Sequence, residues 1–146
     1  MNLAKHFAQR GVGLVEILVA VLVLSIGLLG LAGLQVRTLR NGQSALERGV
    51  AVVESHAIID AMRSDLINAV ENDAYELEHT DTPPTGTTFA ETVLRNWRNN
   101  LVSSLGTGAT GRVACNGGLC TIEVMWNDER GSCGSATQTV TTQVQL

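Results

Sequence analysis

Aromatic side chains are scarce in this sequence, with two Phe, two Trp and one Tyr making up 3% of 146 residues. Stacking platforms for bases or sugars call for more rings than that. Lysine is scarcer still and occurs only at position 5. The formal net charge is −4, and with Lys5 and Arg10 set aside 8 basic residues face 14 acidic ones, a net of −6. Such a chain makes a poor nucleic-acid binder. No HExxH, phosphate loop or nucleophile elbow occurs, and the serines lack a recognisable base partner. His6, His56 and His79 fall in a leader, a helix and a loop, so no enzyme, cofactor or small-molecule substrate is expected.

Cysteine is limited to Cys115, Cys120 and Cys133, all in the last third. An oxidising compartment would allow one disulfide and leave an odd thiol. The C-x4-C spacing with no neighbouring histidine is a weak zinc signal, and no metal is expected. Proline is absent before Pro83. Nothing in the first half of the chain therefore forces a helix to break.

What is present is an apolar run, Gly11 to Leu34, reading GVGLVEILVAVLVLSIGLLGLAGL, with Glu16 as its one ionisable side chain. At about 1.5 Å per residue a helix of that length crosses a bilayer. The preceding MNLAKHFAQRG is basic and too short to fold alone, so it reads as a targeting leader. A general secretory signal would carry a shorter apolar core, although Gly30-Leu31-Ala32 imitates a cleavage site. A carboxylate inside a membrane costs about 2.5 to 3.5 kcal/mol at the helix centre, while one in the first turn can reach the headgroups. An interfacial glutamate in an ordinary signal anchor is the plain alternative.

The residues Gly11-Val12-Gly13-Leu14-Val15-Glu16-Ile17-Leu18, following a leader with Lys5 and Arg10, resemble the class III signal of type IV pilins and pseudopilins. The resemblance implies a prepilin peptidase that cuts after Gly11 and methylates the new amino terminus at Val12, leaving the membrane helix attached. It also assigns Glu16 to an assembly charge pair with the amine of a neighbouring subunit. Where the family usually carries phenylalanine after the cut, this chain has Val12. An ammonium beside Glu16 in a low-dielectric setting would offset the cost of burying the carboxylate. Further on, Leu22 to Gln35, LVLSIGLLGLAGLQ, looks like the minor pilin group called PilV, the type IV pilus modification proteins.

Gly27, Gly30 and Gly33 recur every three residues. They permit close helix packing or local stretching, or reflect only that glycine is common in membrane helices. Basic residues flank the run on both sides, Lys5 and Arg10 before it and Arg37 and Arg40 after it, so orientation rests on the resemblance. The helix is expected to run from about 12 to 66, roughly 80 Å. Leu39, Leu46, Val50, Val53, Ala57 and Ala61 form its apolar stripe, and its second half packs against a head.

Asn68 to Thr88 is acidic and turn-rich, with Pro83-Pro84 and Gly86, and reads as a solvated surface loop in which His79 holds no cation. Thr88-Phe89-Ala90-Glu91 matches a capping box, and Phe89, Val93, Trp97, Leu101 and Leu105 predict a second helix ending at Gly106. From Gly111 the period becomes two: Val113 and Cys115, then Ile122, Val124 and Trp126, then Val140, Thr142, Val144 and Leu146. Three antiparallel strands follow, with Asn116-Gly117-Gly118 as a tight turn and Asn127 to Ser135 as a longer connection. Cys115 and Cys120 flank the tight turn and are the disulfide candidates; Cys120 with Cys133 is the other pairing.

These readings give an α+β fold, which the resemblance specifies as a pilin-like roll with a long N-terminal helix on a short C-terminal sheet. The expected divisions are a leader at 1–11, a membrane or filament-core helix at 12–34 and a periplasmic head at 35–146. Three functions are compatible. The resemblance favours a minor pilin, partnered by a prepilin peptidase, other minor pilins and the major pilin, that resides in the inner membrane and then in the pilus. It would help initiate assembly and so support twitching motility and adhesion. The others are a minor pseudopilin of a type II secretion system and a periplasmic binding protein on an uncleaved anchor.

Overall fold

The structure, a computed structural model, describes residues 13–131 and 134–146. Six elements follow in order: α1 (Leu14–Ser64), α2 (Leu66–Val70), α3 (Phe89–Leu105), β1 (Thr110–Asn116), β2 (Leu119–Trp126) and β3 (Gln138–Gln145). The chain divides after Thr38 into two units, residues 1–38 and residues 39–146. The first contains the apolar part of α1. In the second, the rest of α1 packs with α3 on a three-stranded antiparallel sheet of order β1-β2-β3, an α+β arrangement of the pilin-like kind.

Burial in the second unit follows the strand period. Val113, Cys120, Ile122, Val124 and Trp126 are buried on one face of the sheet, and β3 alternates half-buried and exposed residues. Gly117 and Gly118 both take positive φ, 58° and 83°, which the two-residue connection between β1 and β2 requires and side chains resist. Register then places Cys115 opposite Cys120. On α3 the capping box is complete: the Thr88 hydroxyl accepts from the Glu91 backbone N–H, and the Glu91 carboxylate accepts from the Thr88 backbone N–H. The Thr88 hydroxyl also donates to the Glu91 carboxylate at 2.6 Å, and this bond, with the one from the Thr88 backbone N–H, holds the Glu91 carboxyl below its ordinary value.

Three expectations need correction. The stripe Leu39, Leu46 and Val53 does not face the head; these residues are 74%, 68% and 66% exposed. The head instead packs on Glu47, Ala51, Ser55, Ile58, Ile59 and Met62. Of the polar residues inside this face, Ser55 is satisfied locally, its hydroxyl donating to the Ala51 carbonyl at 2.8 Å. On α3, Phe89 is exposed and the buried face is Ala90, Leu94, Trp97, Arg98, Leu101 and Leu105.

The acidic segment is also less open than its composition suggests. Tyr75 is fully buried, its hydroxyl donating to Asp65 at 3.2 Å, and Leu77 forms a β-bridge with Val113 on the outer edge of β1. Burial, with Asp65 adding to it, pushes the Tyr75 hydroxyl well above its usual range. Two buried apolar side chains and one bridge are enough to draw a charged loop onto the sheet.

Candidate assembly site

Helix α1 begins on the Gly13 carbonyl, which accepts from the backbone N–H of Glu16 at 2.9 Å and of Ile17 at 3.3 Å. Glu16 thus stands in the first turn, where the positive end of the helix dipole favours a carboxylate. Beyond it, the large apolar residues from Ile17 to Leu34 lie on every side of the helix and are all more than half exposed. The polar hydroxyls close on the helix itself, Ser25 donating to the Val21 carbonyl at 2.7 Å and Thr38 to the Leu34 carbonyl at 3.0 Å. These residues leave no hydroxyl needing water, as a lipid surrounding demands. An added Cβ would meet nothing within 4 Å at Gly27, Gly30 or Gly33, so the space over each of these glycines is open within the unit.

The helix is long and apolar enough to cross a membrane. What it offers chemically is one carboxylate at the mouth of an apolar rod. Gly11 and Val12, the expected cleavage and methylation positions, lie outside the described residues. Residues 6–32 match the family model of the prokaryotic N-terminal methylation motif. That motif supports a type IV pilin-like protein. It implies processing by a prepilin peptidase and assembly with pilins, and together with the apolar helix it fits a membrane-anchored pilin. No curated protein and no solved structure matches the chain.

The pilin-like head is tied together by groups that periodicity does not reveal. Glu47, on α1, is 8% exposed; its carboxylate accepts from Trp126 Nε1 at 3.2 Å and from the Arg130 guanidinium at 3.3 Å. One turn earlier the Ser44 hydroxyl donates to Asp128, which is 2% exposed. The connection after β2 is thereby held to α1 at two points. At Gly131 a Cβ would come within 3.1 Å of Asp128 Oδ1 and 3.3 Å of Ser44 Cβ, so a side chain there would press on that contact.

Across the head, the buried Arg98 guanidinium donates to Thr110 Oγ1 and to the carbonyls of Glu78, His79 and Asp81. Burial pulls its pKa down and Asp81 partly opposes this. His79 is half-buried, with Nε2 3.3 Å from Glu123, and is therefore not the solvated loop histidine expected from its neighbours. Arg112 pairs with Glu78 at 2.9 Å and approaches Glu123 at 3.6 Å. Cys115 and Cys120 are joined by a disulfide across β1 and β2, with Cα atoms 4.0 Å apart. Cys133 lies outside the described residues. Among the described residues no group of three or more His, Cys, Asp or Glu is placed to hold a metal ion.

Proposed function

We propose that this protein is a minor pilin of the PilV kind, a non-catalytic structural subunit that helps prime type IV pilus assembly and so supports twitching motility and adhesion. In this reading a prepilin peptidase removes residues 1–11 and methylates Val12. Residues 12–34 then hold the subunit in the inner membrane, with the head from residue 35 onward in the periplasm, until other minor pilins and the major pilin take it into the filament. One observation carries the reading: from Leu14 onward the methylation motif coincides with an unbroken helix whose apolar part is exposed all round, and the same helix continues into a folded, disulfide-containing head.

Such a helix has to exchange lipid for neighbouring helices, and Glu16 is the group that makes the exchange selective. An ammonium on an adjacent subunit pairs with it when both leave the headgroups. Mass spectrometry of the membrane-derived chain tests the first step, with an N-methylated terminus at Val12 expected. A terminus at Met1 would overturn processing and favour a binding protein on an uncleaved anchor, and one at Gly33 would overturn it as well, because the apolar run would then have been removed. Recovery of the chain in sheared pili, with loss of piliation on deletion, is expected for the second step. A secretion defect with normal piliation would assign it to a type II secretion system instead.

A further inference from the structure

The two edges of the sheet differ. On β1 the edge is closed: Leu77 and Val113 exchange backbone bonds at 3.0 and 2.9 Å, with the Arg112–Glu78 ion pair beside them. On β3 it is open. The Leu146 N–H donates to the Gly118 carbonyl at 2.9 Å, and bonded pairs recur at every second residue of an antiparallel ladder. Val140, Thr142 and Val144 thus bond to β2, while the N–H and C=O groups of Thr139, Thr141, Gln143 and Gln145 point away from it. None of these outward groups has a backbone partner among the described residues.

The apolar cover stops short at the same edge. Cys120 and Val124 on β2, which has a strand on each side, are fully buried. Their register partners Val144 and Val140 pack on the same core but stay half-buried. Open edges are ordinarily guarded by lysine, proline or a bulge, because they template further pairing. This one is unguarded: no charged side chain or proline occurs from Gly131 to Leu146, and the register from Gln138 to Gln145 is continuous.

An edge of this kind is completed by extended polypeptide, and direction excludes a second copy. Glu47 of α1 bonds to Trp126, opposite the start of β3. The chain then passes through α2 to Val70, which lies 3.8 Å from the position of a Cβ at Gly118, beside the end of β3. Helix α1 and β3 therefore run the same way. Antiparallel pairing of two β3 strands would point their α1 helices in opposite directions, which copies anchored in one membrane by the same end of α1 cannot adopt. Parallel pairing turns the second sheet over, because its β2 must lie on the far side, and carries its valines away from Val140 and Val144. The β1 edge of a second copy is closed by Leu77.

We propose that the outer edge of β3 takes up an extended segment of another protein as a fourth strand, with apolar side chains at alternate positions. Its backbone bonds to Thr139, Thr141, Gln143 and Gln145, and its apolar side chains complete the cover over Val140 and Val144. Charge contributes nothing to the match, since β3 offers none. The exclusion of a second copy rests on the proposed membrane-anchored subunit.

The test uses the full chain in the membranes of cells that make it, with a photo-activated cross-linking residue placed singly at Thr139, Thr141 or Gln143. Facing side chains on paired strands lie about 5 Å apart and recur at every second position. The three probes are expected to attach to one segment of another protein, at positions that step by two residues as the probe does. Thr141→Pro removes an outward N–H, and an edge strand tolerates proline at such a position. It is expected to lower the adduct yield from the flanking probes about tenfold, the scale of one ladder bond, while Thr141→Ala leaves the yield unchanged. Urea midpoints of the purified chain report whether the proline variant folds, and the stepping of the probes stands without it. Adducts between copies of this chain only, attachment without the two-residue step, no protein adduct, or a yield indifferent to Thr141→Pro in a folded chain overturns the proposal. Sheared filaments are assayed in parallel. A chain present in filaments without the stepped adduct overturns this contact alone, whereas a stepped adduct from a chain absent from filaments keeps the contact and removes the filament reading.

Discussion

Replacing Arg98 by methionine isolates the group that holds the acidic segment on the sheet. The guanidinium is on a residue 6% exposed, and its firm partners are the Glu78 carbonyl and Thr110 Oγ1; the contacts to the Asp81 and His79 carbonyls are longer, 3.3 and 3.5 Å. A hydrogen bond to a charged group contributes about 1.5 to 3 kcal/mol. Two effects reduce the sum: burial already disfavours the charge, and two of the three residues whose carbonyls are freed, Glu78 and Asp81, are exposed. A net loss of about 2 to 4 kcal/mol follows.

Urea unfolding of the full chain in detergent, followed by the fluorescence of the buried Trp97 and Trp126, reads this directly. With a slope of about 2 kcal/mol per molar, the midpoint is expected to fall by roughly 1 to 2 M. Arg98→Lys should recover only part, because one ammonium cannot span the fork. Amide exchange at Leu77 and Val113, which bond to each other's carbonyls at 3.0 and 2.9 Å, should accelerate in the same variants. A midpoint shift equivalent to less than about 0.5 kcal/mol, the level of an ordinary surface change, would refute the reasoning.

Three further outcomes are expected. Gly111→Ala places a Cβ 2.3 Å from Trp97 Cη2 and 2.9 Å from Leu101 Cδ1, so overpacking should cost about 1 to 3 kcal/mol in the same urea assay; an unchanged midpoint would mean that the ring has room to swing away. The Glu91 carboxyl is held low by Thr88, so its contribution is present above the unfolded carboxyl value and lost as pH falls through the folded one. An acid titration of helix content should therefore flatten in Glu91→Gln, and identical curves would contradict the capping account. Glu16→Ala should leave leader removal and membrane retention intact while abolishing recovery in sheared filaments, and normal recovery would count against the charge pair.

Local rules carried much of the fold. The apolar run, the capping box, the two-residue glycine turn and the alternation in β1 and β2 each have a cause within a few residues, and all are found where composition and spacing place them. What periodicity misjudged was the inward face of α1. A stripe of Leu and Val looked like the core side, yet Glu47 and Ser55 occupy it because each finds a hydrogen-bond partner. No local signal announces that Trp126 donates to a residue 79 positions earlier. Arg98 was hidden for the same reason, since its carbonyl partners are supplied by a loop that reads as solvated. The one available hint was its position beside Trp97 on the buried face of α3. At the candidate assembly site the situation differs: the reading of Glu16 comes from the sequence, where a lone charge in an apolar run has few alternatives.

The exposed stripe and the exposed apolar helix pose one physical problem. In lipid, association of such helices gains nothing from the hydrophobic effect, because acyl chains are as apolar as leucine. Packing at open positions such as Gly27, Gly30 and Gly33 then supplies contact area, but one apolar rod fits another in many registers. Register has to come from polar groups that are costly when misplaced, since an unpaired carboxylate in a low-dielectric seam is penalised and a paired one is not. Glu16 would set that condition at the mouth of the apolar half, where the amine of a neighbouring subunit is the group that would meet it. A slip of one turn, about 5.4 Å, would separate that pair while leaving the apolar contact nearly unchanged, so the carboxylate selects among registers that the apolar rod alone does not.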